Sequence, residues 1–316
     1  MRDNRVLRGR HLHRLQRRHF ILFDVLPFVG TLAALALLAV RPIGGMEIGL
    51  FAAMWLVTGL GLTVGYHRLF THGAFTTTGW VSNLLIVMGS MAGRGPMISW
   101  AAMHRRHHEL SDHDGDLHSP NLHGAGWRRR LHGFVHAQLT WMVEHDYPNV
   151  AHYVPDLIAR RSWVNVNGYY YAWVLLGLAI PAVLGGLISA SVWGVLTGFL
   201  WGGVVRMFVV EQTMSAINSL NHMLGSRPFQ TRGDNSRNLG VMAWLAWGEG
   251  WHNNHHAFPY SAAFGLRWSE FDLGFLFIRA LEAAGLAWNV KVPAPERITA
   301  RMTAHPAEAA PDFGHG

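Results

Sequence analysis

The sequence predicts an all-α integral membrane protein, with four transmembrane helices in two hairpins and a cytosolic helical cap. Three observations predict it. Half of the 316 residues are apolar and only 14% are charged, against about 25% in an ordinary soluble domain. Four stretches are long and apolar enough to cross a hydrocarbon core of about 30 Å at about 1.5 Å per residue. All but two of the 26 basic residues, Arg41 and Arg206, lie in segments 1–19, 66–168 and 216–316. An even number of spans puts these three segments on one side, the cytoplasmic side.

The elements follow in order. Residues 1–19 are Arg-rich, with Asp3 the sole acid and no apolar period. A basic, partly disordered cytosolic arm is expected there. Residues 20–40 form the first span, whose one charge is Asp24, and Arg41-Pro42-Ile43-Gly44-Gly45 reverses the chain. The second span is 46–66, where Gly59, Gly61 and Gly65 point to close helix packing. Trp80 to Ala92 is apolar but short for a span, so a helix at the interface or packed on the bundle is expected. The third span, 169–187, is separated by Ser189, Ala190 and Ser191 from the fourth, 192–210. From residue 293 a Pro/Ala-rich tail to residue 316 is expected to be disordered.

Cysteine is absent, which excludes disulfides, thiolate metal sites, iron–sulfur clusters and cysteine nucleophiles. The net charge of +7 is spread around helix ends and forms no single patch, so no nucleic-acid partner is expected. Histidine is abundant: 21 residues, more than the 19 acids. Eight fall into three boxes, His67-x-x-x-x-His72, His104-x-x-His107-His108 and His252-x-x-His255-His256. The i, i+3, i+4 spacing puts three imidazoles on one helical face. Packed together, protonated rings repel and neutral rings lack partners, and bound metal resolves both conflicts. Eight imidazoles exceed the needs of one zinc and suit two ions. The i, i+5 spacing of the first box works on an α-helix only if the helix ends or bends there. No H-E-x-x-H string of a zinc protease is present. His222, beyond the fourth span, is a ninth candidate. His113, His118, His123, His132, His136, His145 and His152 read as loop or supporting residues. His11, His13, His19, His305 and His315 lie in the arms and carry no expected role.

In this order the boxes, with Gly65-Tyr66 before the first and Trp100 before the second, resemble the membrane fatty-acid desaturases. So do Gly115-Asp116-Leu117-His118-Ser119-Pro120, Asn218-Ser219-Leu220-Asn221-His222 and Gly248-Glu249-Gly250-Trp251. The match is closest to the acyl-CoA (stearoyl-CoA type) Δ9 branch and covers residues 20–292. The resemblance implies a cytosolic cap holding a non-haem di-iron centre. It assigns His67, His72, His104, His107, His108, His222, His252, His255 and His256 as ligands, with Asn218 reaching one iron through water. Met103 stands where the family often has Asp, so Asp112, Asp116 or Glu249 is expected to accept hydrogen bonds from the ligand rings.

The implied reaction is O2-dependent desaturation of a saturated fatty acyl chain, an acyl-CoA oxidised at Δ9, to a cis-monounsaturated product. The electrons would come from an external donor, a cytochrome b-type haem protein or a ferredoxin with its reductase. Trp55, Trp100 and Arg94 are candidates for substrate contact, Trp55 as the stop for the methyl end of the chain. A hydroxylase of the same histidine-box superfamily is the competing enzyme, and a His-rich metal transporter the competing non-enzyme. The expected setting is a lipid bilayer, with both termini and the active site cytoplasmic.

Overall fold

The computed structural model describes residues 4–231 and 233–303. Four helices are long and apolar enough to span a membrane: Arg10–Leu37, Gly45–Thr71, Tyr170–Ser189 and Val192–Leu220. Each of the four expected spans falls largely within one of them. All but Tyr170–Ser189 overrun the apolar stretches on the side of the histidine boxes, so three spans continue as helices beyond their apolar length.

The first helix corrects the reading of the arm. Residues 10–20 are helical, not disordered, and run without a break into the first span. Arg10, Arg14, Arg17 and Arg18 are exposed on this helix while Gln16 is buried, the amphipathic division of an interfacial helix. Ahead of it, Val6–Leu7 pairs antiparallel with Tyr147–Pro148 and ties the arm to the cap. The tail differs as well: Pro295–Thr303 is a helix, and residues 304–316, with His305 and His315, lie outside the described residues.

The short apolar helix is Gly79–Ser90, and it packs on the bundle. Glycines permit this. A Cβ on Gly61 would lie 2.1 Å from the Gly89 nitrogen, and one on Gly65 would lie 2.9 Å from the Leu85 side chain. The third and fourth spans meet as closely, since a Cβ on Gly198 would lie 2.2 Å from the Pro181 carbonyl oxygen. Arg206, fully buried, donates to the carbonyls of Met91, Gly177 and Gly202. It thereby joins the fourth span to the third and to the turn after the short helix. A second two-residue pairing, Thr76–Thr77 with Ala287–Trp288, holds the C-terminal segment against the exit of the second span.

Candidate metal centre

The second span does not wind as an α-helix to its end. Gly61–Thr71 is π-helical, and the His72 N–H donates to the His67 carbonyl at 3.2 Å, an i→i+5 bond. That winding brings residues five apart onto one side. The His67 and His72 rings sit 5.0 Å apart. The i, i+5 spacing is thus resolved by a change of helix type as well as by the helix end.

Nine histidines converge in two groups. His67, His72, His104, His108 and His255 form one, and His107, His222, His252 and His256 the other; in each, the ligating nitrogens lie within 4.8 Å of one another. The two H-x-x-H-H boxes divide in a reciprocal way. His104 and His108, four apart, join the first group, while His107 turns to the second. His252 and His256 join the second group, while His255 turns to the first.

Hydrogen bonds behind the rings fix where the lone pairs point. His67 Nδ1 bonds Glu249 at 2.6 Å, His107 Nδ1 bonds Asp116 at 2.9 Å, and His222 Nδ1 bonds Asp112 at 2.9 Å. His256 Nδ1 lies 3.4 Å from Asp234. A neutral imidazole that donates from Nδ1 presents an unprotonated Nε2. Within each group Nε2 atoms face one another: His67 to His255 at 3.0 Å, His108 to His255 at 2.8 Å, His108 to His104 at 3.0 Å, and His222 to His252 at 3.0 Å. One N–H on His255 cannot serve both His67 and His108. Nε2 of His72, His107 and His256 is buried with no hydrogen-bond partner. The donor set fits metal ions: metal–nitrogen bonds of about 2.1 Å at right angles give nitrogen–nitrogen edges of about 3.0 Å.

Electrostatics agree. Burial first, and then neighbouring imidazoles, hold His72, His104, His108, His252 and His255 well below the ordinary histidine pKa. Burial pushes His256 down to about 4 against the pull of Asp234. His107 is the exception: burial would lower it, but Asp116, with Asp112 and Asp234 behind, raises it. Burial would raise the Asp112, Asp116, Asp234 and Glu249 carboxyls, yet their histidine partners hold each below the usual carboxylate range. At neutral pH most of these rings are neutral donors beside charged carboxylates.

Two arginines inside the boxes hold the scaffold. Arg68, fully buried, pairs with Asp272 at 2.9 Å and lies over the Phe264 ring at 4.0 Å. Arg105 donates to the carbonyls of Phe70, Thr71 and Tyr153. Two left-handed residues shape the surroundings, Asp112 at φ +58° and Trp247 at φ +54°. Such a conformation is unusual for a non-glycine and concentrates at functional sites.

A cavity of about 370 Å³ leads to the centre. Its exposed lining residues, Leu15 and Tyr171, mark the mouth. Asp24, Arg94 and Glu211 line it, and His67, His104, Asn218, Glu249 and His252 line its inner end, at the histidine groups. Arg94 donates from Nη1 to the Glu211 carboxylate and, at 3.0 Å, to Ser215.

The sequence profile of the fatty acid desaturase family matches residues 45–290. The chain belongs to that family. Its relatives include a hex-5-enoyl-[acyl-carrier protein] acetylenase of Moorena producens (strain JHB), 45% identical over 95% of this chain and 94% of the relative. An sn-1 stearoyl-lipid 9-desaturase of Anabaena variabilis is 36% identical over 75% of this chain and 81% of its own. An icosanoyl-CoA 5-desaturase of Limnanthes douglasii is 36% identical over 74% and 62%. Family membership makes this protein an oxidoreductase of lipid metabolism and sets the transporter aside.

Of the residues singled out in the sequence, the nine histidines come together, and Asp112, Asp116 and Glu249 bond three of them. Asn218 lines the cavity one helical turn before His222. Trp100 lines it too, stacked on His104 at 5.1 Å, as does Arg94. Trp55 does not: it packs on Trp247 with ring centroids 4.7 Å apart. Three histidines outside the expected ligand set also line the cavity: His118 and His145, read as loop or supporting residues, and His19, which carried no expected role. His118 also stands with His107 and Asp116 in a third group of close donors. Asp234 was not singled out; it sits in a loop with no spacing to betray it.

Proposed function

We propose that the desaturase removes two hydrogens from a short fatty acyl chain near its methyl end, using O2 and two iron ions. His67, His72, His104, His108 and His255 would hold one ion. His107, His222, His252 and His256 would hold the other, with Asn218 approaching through a water. Bound iron supplies oxidising power that no side chain has, because an unactivated C–H bond is not acidic. In balance, one CH2–CH2 unit, O2, two electrons and two protons give one CH=CH unit and two waters. The electrons come from a separate cytochrome b-type haem protein or a ferredoxin with its reductase. Exposed Arg128, Arg129 and Arg130 offer an acidic donor a positive face. The basic segments favour a cytoplasmic centre and cytoplasmic ends.

The closed inner end of the cavity carries this reading. A Δ9 substrate of the stearoyl type needs room for eight carbons past the oxidised bond. The direction they would take, along the second span below His67, is filled. Thr63 donates to Glu249. The Trp247 ring occupies the place of a Gly59 side chain, 1.9 Å from where its Cβ would stand. Trp55 then backs Trp247. From Glu211 to Asn218 the fourth span rises about 10.5 Å at about 1.5 Å per residue. Extended carbon chains advance about 1.25 Å per bond of about 1.5 Å, so that rise takes up about eight bonds, a chain of about nine carbons. The Moorena relative is named for a six-carbon chain with its double bond at the methyl end, which supports a short chain oxidised near that end. The relatives' names carry three acyl carriers, so the carrier has to be argued from this chain's own cavity.

The test is product analysis. Iron-loaded desaturase in a bilayer, with O2 and a reductant, receives hexanoyl, octanoyl and stearoyl thioesters. Loss of two hydrogens from the short chains, seen by mass spectrometry, is expected. Gain of one oxygen would mark the hydroxylase instead. Stearoyl as the best substrate would overturn the short-chain part.

A further inference from the structure

The desaturation chemistry leaves Asp24 without a role. It lies in the first spanning helix, where a carboxyl is costly and marks a functional site by default. It is 5% exposed and lines the cavity beside Arg94 and Glu211. Its Oδ1 is buried with no hydrogen-bond partner, and it forms no ion pair with a described residue. A buried acceptor without a donor is destabilising. The missing donor belongs to whatever enters the cavity. An acyl chain brings no donor, and neither does the ester group that joins it to a fully esterified glycerol. A thioester on a pantetheine arm does: the first amide N–H of that arm stands two methylenes beyond the sulfur.

Resting on the short-chain reading, we infer that Asp24 and Arg94 form the binding site for a pantetheine arm. The amide N–H donates to Asp24. The thioester carbonyl accepts from Arg94, which has five N–H donors and uses only those of Nη1 on described residues. The rest of the arm leads out past Tyr171, whose ring lies 6.1 Å from that of Phe23, the residue before Asp24. Holding the sulfur end at this level sets which carbons reach the histidines. Asp24 is then a specificity-determining residue. Coenzyme A and an acyl carrier protein both present this arm.

The test is binding of hexanoyl-pantetheine to the full-length protein in detergent, with methyl hexanoate as the control that has the same chain and no amide. Wild type is expected to bind the thioester at least about tenfold more tightly than the ester. Asp24→Leu should erase that preference while ester affinity and metal content stay as in wild type. Asp24→Asn, which keeps an acceptor oxygen, should retain part of it. An unchanged preference in Asp24→Leu overturns the inference. So does equal weakening of both ligands in both variants, which marks Asp24 as structural, or a dihexanoyl glycerolipid bound as tightly as the thioester. Binding needs no turnover, so failure to oxidise any chain would sink the proposed reaction and leave this site standing. Comparing hexanoyl-CoA with hexanoyl-carrier protein then names the source, and preference for either supports the site.

Discussion

The two histidine clusters differ in what stands behind them. Three of the four rings in the second cluster have a carboxylate partner: His107 with Asp116, His222 with Asp112, His256 with Asp234. Among the described residues the five-ring cluster has one, Glu249 on His67, and is otherwise imidazole against imidazole. Anions behind a ring make it a more basic donor and lock its orientation. One cluster is therefore supported by charge and the other by the number of rings and their packing. The difference teaches that nine similar ligands need not give two similar sites.

The largest effect should come from breaking the five-ring cluster at its hub. His255 Nε2 faces both His67 and His108. His255→Ala is expected to cut turnover at least about a thousandfold and to lower bound metal by one ion per chain. Elemental analysis checks the second outcome; loss of both ions would show that the clusters are not independent. Next in size is removal of the carboxylates. Glu249→Gln takes from the five-ring cluster the one anion that bonds it among the described residues, and should weaken its metal about 10- to 100-fold. Asp112→Asn leaves the second cluster two others and should cost less. Equal losses under a graded chelator would reject the contrast between the clusters.

Much of this centre is legible in the sequence, because spacing on a helix is geometry. His104, His107 and His108 share a face whatever surrounds them, and four apolar stretches of span length leave few topologies. What spacing cannot carry is a change in winding: the π-helix at Gly61–Thr71 makes sense of an i, i+5 pair that an α-helix would splay. Loop residues are equally hidden. Asp234 meets His256, and His145 meets the cavity, through tertiary folding alone. Residues 10–19 lack a run of apolar residues, so the helix there shows only once its narrow inner face is seen packed on the cap. Trp247 is the deepest miss, because its place against Gly59 depends on a left-handed backbone that no residue pattern announces.

Acid should separate the clusters by a smaller amount. Protons compete for a ligand only below its metal-free pKa. The five-ring cluster contains four rings held well below the ordinary value, so at pH 6 they remain free for metal. In the second cluster His107 is raised, so it takes up a proton first as pH falls, and that cluster should release metal earlier. Cobalt(II) titrated at about pH 8 and about pH 6, across the ordinary histidine range, should show one affinity falling by up to about tenfold per unit. The other should hold. A fall in the five-ring cluster alone would reverse the electrostatic assignment.

The smallest effect concerns the space behind the five-ring cluster. The cavity meets this cluster from one side, while on the other Glu249, Trp247 and Trp55 fill the direction an acyl tail would take. Trp247 is the member to change. It is fully buried, its ring rests on Gly59, and it touches no histidine in the described contacts. Trp247→Leu keeps an apolar side chain and vacates ring volume next to Thr63 and Glu249. It should cost about 2–3 kcal/mol of stability as a large-to-small core change, with metal content unchanged. The vacated space continues the cavity past the metals, so chains one to three methylenes longer should gain a few-fold in kcat/KM over hexanoyl. The oxidised carbon should stay at the same distance from the thioester, because the sulfur end sets register and the new room lies beyond the reacting bond. Trp55→Ala alone should change the profile less, since Trp247 still stands between it and the cavity. If Trp55→Ala lengthened the preferred chain while Trp247→Leu did not, the tail would run along the second span by a route that avoids Trp247, and the closed end would lie deeper in the membrane.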